Sequence, residues 1–184
     1  MASLTEKALA EALKKLLKKK TLDKVIVKDI TDECGVNRQT FYYHFHDVYD
    51  LVAWIFREKA AAFKAEFVEG QDWRYTLDML LEKLLEDRNF ILNVFNSVNR
   101  RQLEIFIQDL VKPNLSTLVH ERAAGMNIDE EDLDFITRVF SSGFTGWVTE
   151  WVSDGMKIEN RRSVEKYFKV IEGTVSGVLE QFVK

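Results

Sequence analysis

The chain has 184 residues, 46% of them hydrophobic and 30% charged, a balance that excludes disorder and suits one ordinary domain or a small module fused to a larger one. One proline and eight glycines are too few for the turns of a strand-rich fold, and Cys34, alone, excludes an intramolecular disulfide or a cysteine-cluster metal site. The formal charge of −4 is unevenly shared: residues 1–46 hold nine Lys and Arg against six Asp and Glu, a formal +3, while the remainder carries −7. That asymmetry directs the N-terminal part toward a polyanion.

The Lys-rich start is not followed by an uninterrupted apolar stretch, and no apolar run approaches the roughly 18–20 residues that span a bilayer, so a cytoplasmic protein is expected. Leu4, Ala8, Leu9, Ala12, Leu13, Leu16 and Leu17 recur at three and four, the pattern of an amphipathic helix. Lys18, Lys19 and Lys20 close it, where cations either complement the helix dipole or face a partner. Thr21 to Ile26 reads as a connector.

Val27, Ile30 and Cys34 then mark one face of a two-turn helix, Gly35 permits a backbone turn that a side chain would resist, Val36 plugs it, and Asn37 is a good N-cap for the next helix. Phe41 and Phe45, four apart, face the interior. Arg38, Gln39, Tyr42, Tyr43 and His44 are left outside. Arg can fork to guanine and Gln to adenine from the first turn of a recognition helix, while tyrosine hydroxyls and a histidine ring suit phosphate oxygens. So short a reader needs doubling, which a dimer supplies by setting two helices about 34 Å apart, or a multiple of that.

Asp47 caps a long helix to about Glu69, with Leu51, Ile55, Ala62 and Phe67 inside and Gly70 as its stop. Trp73 to Asp87 follows through Leu77, Leu80, Leu81, Leu84 and Leu85, then Phe90 to Val98, then Asn99 to Ala124 with Pro113 expected to interrupt and kink it. Asp129 to Asp154 and Ser163 to Val183 are the last two helices. Gly143, Gly146, Gly173 and Gly177 lie inside them, although each helix-interior glycine costs about 0.5–1 kcal/mol relative to Ala. Close approach of helices would account for them, and a four-helix bundle made from two subunits is expected, the alternative being that the apolar stripes of these helices are buried within one chain. The expected dimer interface is Phe140, Gly143, Phe144, Gly146, Trp147, Trp151, Ile171, Gly173, Val175, Gly177, Val178 and Phe182.

The run Asp29-Ile30, Cys34 to Asn37, Thr40 to Phe45, Asp47 and Asp50-Leu51 resembles the DNA-binding signature of the TetR family of bacterial transcriptional regulators, a likeness covering residues 4 to 51. The ending, with Trp147 to Trp151 and Asp154-Gly155-Met156 before a final helix, resembles the subgroup containing the activator of dihydroxyacetone kinase operons. The resemblance implies an all-α chain with a three-helix helix-turn-helix domain over residues 1–46 and a helical ligand-binding and dimerisation domain over 47–184. It implies a ligand-responsive repressor that binds a pseudo-palindromic operator as a homodimer. Lys28, Asn37, Arg38, Gln39, Thr40, Tyr42, Tyr43 and His44 become the DNA contacts. Val27 departs from the hydroxyl residue, and Val48 from the lysine, that relatives often carry, with Lys28 and His46 as substitutes.

An effector pocket would draw on Trp54, Phe63, Phe67, Trp73, Phe90, Phe95 and Phe106, although aromatics at helical spacing are more often plain core. Asn93, Asn96, Asn99, Arg100 and Arg101 could hold a ligand or form a solvated face. No cofactor or metal is expected: His44 and His46 are two apart on a helix and diverge, His120 is remote, and Asp129 to Asp132 lacks the pattern of a calcium loop. Without a phosphate-binding glycine loop, an enzyme is not expected. The alternative is a helical ligand-sensing module that acts through a protein co-regulator instead of DNA.

Overall fold

In the computed structural model, residues 3–66, 72–157 and 162–184 are described, and among them all regular structure is helical. The nine α-helices are α1 (Leu4–Leu16), α2 (Val27–Cys34), α3 (Arg38–His44), α4 (Val48–Glu66), α5 (Trp73–Glu86), α6 (Arg88–Phe95), α7 (Arg100–Arg122), α8 (Glu130–Ser153) and α9 (Arg162–Glu180), with one 3-10 turn at Leu22–Lys24. They divide into two compact units. The first holds the chain through Glu66 together with Asp87–Phe106, and the second holds α5 and the chain from Ile107 onward.

In the first unit, α1 begins with a reciprocal cap: Glu6 N–H donates to Ser3 Oγ at 3.2 Å and Ser3 N–H to Glu6 Oε2 at 2.7 Å, satisfying two donors a helix start leaves open. Leu9, Ala12, Leu13 and Leu17 are buried as expected, whereas Leu4 and Ala8 are exposed. Helix α1 packs on α2 and α4, and α2 on α3. Asp47 caps α4, accepting from Asp50 N–H at 2.8 Å. Leu51 and Ile55 are inside, but Ala62 is exposed because the neighbouring Phe63 takes the inward position. Phe67 and Gly70 lie outside the described residues.

Helix α6 belongs to this unit too. Asp87, just before it, pairs with Lys14 of α1 at 3.4 Å and with Lys59 of α4, and Asn93 Nδ2 donates to the Leu17 carbonyl at the end of α1 at 3.2 Å. Phe56 lies between Phe90 and Phe106, with ring centres 5.3 and 4.8 Å apart.

The expected interruption at Pro113 does not occur: α7 runs unbroken from Arg100 to Arg122. A proline removes one backbone donor, and here Pro113 and Asp109, whose carbonyl loses its partner, both lie on the exposed side of the helix.

In the second unit, α8 and α9 pack together. Leu133, Ile136, Phe144, Val148 and Trp151 of α8 are buried, as are Val164, Phe168, Ile171, Val175 and Leu179 of α9. Trp73 of α5 meets Phe168 edge-on with ring centres 5.1 Å apart, and Arg74 pairs with Glu172. The last residue returns to the start of α8, where Lys184 N–H donates to the Asn127 carbonyl at 3.0 Å and its ammonium pairs with Asp129.

Candidate nucleic-acid interface

The turn between α2 and α3 is set by two residues. Gly35 has φ +74°, a left-handed conformation that ends α2 and costs any residue with a Cβ, and the N–H groups of Gly35 and Val36 both donate to the Thr31 carbonyl. Asn37 then caps α3, its Oδ1 accepting from Thr40 N–H at 2.8 Å and Thr40 Oγ1 at 3.0 Å. Such caps stabilise a helix by about 1 kcal/mol, a large share of what a seven-residue helix can supply itself.

Phe41 and Phe45 fasten the inner side of α3. Both are buried, with rings 5.8 Å apart, and Phe45 meets Trp54 of α4 edge-on at 5.8 Å. The opposite side carries Arg38, Gln39, Tyr42 and Tyr43, all exposed, Tyr43 to 83%. An aromatic ring left so open on a helix held firmly from behind gains nothing from the fold itself.

His44 differs from its expected outward placement. Its side chain is only 16% exposed and turns toward α1, with Nδ1 3.7 Å from Glu6 Oε1. The last turn of α3 is simply too close to α1 to project freely. Thr40 is half-buried with its hydroxyl engaged by Asn37. Lys28 is exposed with its ammonium 2.5 Å from Asp32 Oδ2. Val48, noted as a departure from the usual lysine, is buried in the core, and His46 is exposed.

Lys20, in the lysine cluster, is committed to Asp29 Oδ2 at 2.5 Å, and Asp29 also accepts from Ile26 N–H at 2.9 Å at the start of α2. The Ile26 amide, followed by the Lys20 ammonium, holds the Asp29 carboxyl below its usual range. Lys18 and Lys19 are exposed.

The aromatics expected around a pocket are distributed differently. Phe90 and Phe106 meet Phe56 in the first unit and Phe63 and Phe95 are buried there, while Trp54 supports Phe45 and Trp73 packs on Phe168 in the second unit. Of the polar cluster, Asn93 is engaged with α1, Asn96 Nδ2 donates to the Leu92 carbonyl, and Arg100 stacks over Phe95 with its guanidinium 4.2 Å from the ring centre. No group of three or more His, Cys, Asp or Glu side chains is arranged to hold a metal among the described residues.

Among the residues expected at a dimer interface, Phe144, Trp151, Ile171 and Val175 are buried in the chain's own core. Phe140, Trp147, Val178 and Phe182 are half-buried. Gly143 is explained within the chain: a Cβ there would lie 3.0 Å from Tyr167 Oη, which donates to the Phe140 carbonyl at 2.5 Å. Gly146, Gly173 and Gly177 have nothing within 4 Å of where a Cβ would be. Phe135, Val139 and Val170, exposed on the same helices, were missed by the sequence reading. Their signal was present: Phe135, Val139, Gly143 and Gly146 share one helical stripe, and Val170, Gly173 and Gly177 another.

A helix-turn-helix with a rigid, polar-aromatic outer face, joined in one chain to a helical bundle, defines a DNA-binding transcriptional regulator. The family model for bacterial regulatory proteins of the tetR family matches residues 9–53, and the model for a transcriptional regulator C-terminal region, TetR_C_8, matches residues 71–173. The chain belongs to the TetR family of bacterial transcriptional regulators.

Across 92 residues it is 30% identical to the HTH-type dhaKLM operon transcriptional activator DhaS of Lactococcus lactis subsp. lactis (strain IL1403). That match covers 50% of this chain and spans about half, 49%, of the relative's length. The structure of the dihydroxyacetone kinase operon activator DhaS superposes with a TM-score of 0.71 at 23% identity, covering 98% of this chain and 99% of that one. The fatty acid degradation regulator FadR from Bacillus halodurans gives 0.67 at 19% identity, covering 95% and 97%. These structural likenesses establish the shared fold.

Proposed function

We propose that this chain acts as a homodimeric, sequence-specific regulator that reads a pseudo-palindromic operator with α3. The observation that carries the reading is the two-sided α3, with Phe41 and Phe45 buried and Arg38, Gln39, Tyr42 and Tyr43 exposed. Arg38 and Gln39 address base edges from the first turn, Tyr42 and Tyr43 address phosphates, and Lys28, Asn37 and Thr40 flank them. His44, turned toward Glu6, serves by positioning α3 against α1. The dimer forms through the exposed face of α8 and α9 that carries Gly146, Gly173, Gly177, Phe135, Val139 and Val170.

No catalytic step is assigned, and the cytoplasm is the compartment where such a protein meets its operator; no helix among the described residues is long and apolar enough to cross a membrane. Occupancy by a small-molecule effector or a protein co-regulator would change the separation of the two reading helices. The pocket belongs with the buried aromatics of the first unit, Phe63, Phe90, Phe95 and Phe106. Repression follows if the bound dimer occludes a promoter, whereas the Lactococcus relative is an activator by name. A promoter reporter compared with and without the gene decides the sign.

A mobility-shift assay with the gene's own upstream region, at two salt concentrations, tests the core reading. Specific retardation that weakens steeply with salt is expected. Failure of a folded dimer to shift any fragment would overturn it. Arg38→Ala and Tyr42→Ala should abolish specific retardation while the thermal unfolding midpoint stays unchanged; an equal loss of stability would mean those side chains belong to the core.

A further inference from the structure

We propose that the recess between the C-terminal part of α8 and the N-terminal part of α9 is a socket filled by Phe135 of a second copy, which fixes how two chains pair. The inference rests on the dimer reading and goes beyond it by assigning the register. The recess has a volume of about 400 Å3 and is lined by Trp147, Trp151, Tyr167 and Val170 together with the polar side chains of Glu150, Asp154, Ser163 and Lys166. Its walls are stiff: the Trp147 and Trp151 rings are stacked 4° from parallel, Trp151 Nε1 donates to the Lys157 carbonyl at 3.0 Å, and Tyr167 is held by Phe140.

At the other end of the same pair of helices, Phe135 and Val139 protrude, 49% and 53% exposed, and Phe182 supports Phe135 with ring centres 6.5 Å apart. Phe135 and Trp147 are twelve positions apart on α8, about 18 Å at helical rise, and the midpoint falls at Ser141. Gly143 and Gly146 on α8 lie just beyond that level. A flat centre with a protrusion at one end and a recess at the other is self-complementary under one operation, a two-fold axis through the centre and across the helices.

That operation lays α8 antiparallel over its copy. It brings the partner's Phe135 onto Trp147 and the partner's Val139 to the level of Gly143. A two-fold axis along the helices would instead set protrusion against protrusion and leave both recesses uncovered. Burying an aromatic ring in a preformed recess near the end of a helix pair also supplies the kind of anchor on which an interface depends.

The test uses the full chain in a Cys34→Ser background. Chains carrying Phe135→Cys and chains carrying Trp147→Cys are mixed at concentrations where sedimentation shows them paired, then mildly oxidised. A disulfide-linked dimer should form in the mixture and in neither variant alone. Self-linking of the Phe135→Cys chain, or paired chains with no link in the mixture, would overturn the socket while leaving the dimer intact. A monomeric Cys34→Ser parent would remove the dimer reading itself. As an independent measure, Phe135→Ala should weaken dimerisation at least tenfold and shift Trp147 fluorescence toward that of the dissociated chain; an unshifted spectrum in a weakened dimer would also overturn the socket.

Discussion

Within α3, adjacent residues do opposite work. Phe41 is fully buried and Tyr42 is 58% exposed, and their edge-on rings, with centres 5.7 Å apart, separate a core residue from a surface residue across a single peptide bond. Phe41→Ala should lower the unfolding free energy by about 3–5 kcal/mol, read as a lower urea midpoint at unchanged slope. Tyr43→Ala should change it by no more than about 0.5 kcal/mol while weakening operator binding.

His120 provides a pH-dependent counterpart in the second unit: Nδ1 lies 2.8 Å from the Ser116 carbonyl and Nε2 3.2 Å from Glu130 Oε2. The Ser116 carbonyl, followed by Glu130, raises its pKa above the ordinary 6.5. A group whose folded pKa is raised contributes stability that is complete below its unfolded pKa and lost as pH rises through the folded value. The urea midpoint should therefore fall as pH rises from about 6.5 through the raised folded value, and His120→Gln should flatten that slope. A slope unchanged by the substitution would assign the dependence elsewhere.

Among the elements, short helices depend on their ends and long ones on their faces. Helix α3 has seven residues and is held by the Asn37 cap and two phenylalanines. Asn37→Ala should cost about 1 kcal/mol and loosen α3 enough to weaken DNA binding beyond its share of contacts. Helices α8 and α9 carry glycines that cost helix stability, Gly143 making room for Tyr167 of the same chain and Gly146 having nothing within 4 Å of its Cβ position. Gly143 and Gly146 should therefore respond differently. Gly143→Ala crowds Tyr167 inside one chain and should lower the stability of the monomer. Gly146→Glu has room inside the chain and should instead yield monomers in sedimentation; unaltered dimers would refute the interface.

Helix boundaries were largely legible because caps and periodicity are local: Ser3, Asn37 and Asp47 each sit where a helix begins. The continuity of α7 through Pro113 was not, since it depends on which side of the helix faces solvent.

Across the whole molecule, the proposed dimer would make stability depend on concentration. The thermal midpoint should rise with protein concentration and rise further with operator, because both bind only the folded state. A concentration-independent midpoint would contradict an obligate dimer.

The sequence by itself determined the all-helical class, the helix-turn-helix and its family, because turn glycines, caps and the Phe41–Phe45 spacing act over a few residues. Only the tertiary structure decided which of two apolar stripes on α8 and α9 a chain keeps for its own core. Phe144, Trp151, Ile171 and Val175 have the same spacing and chemistry as interface residues, and burial depends on neighbours distant in sequence. The turn of His44 toward Glu6 was hidden for the same reason: its partner lies 38 positions earlier in the chain, within reach only once α1 has packed beside α3.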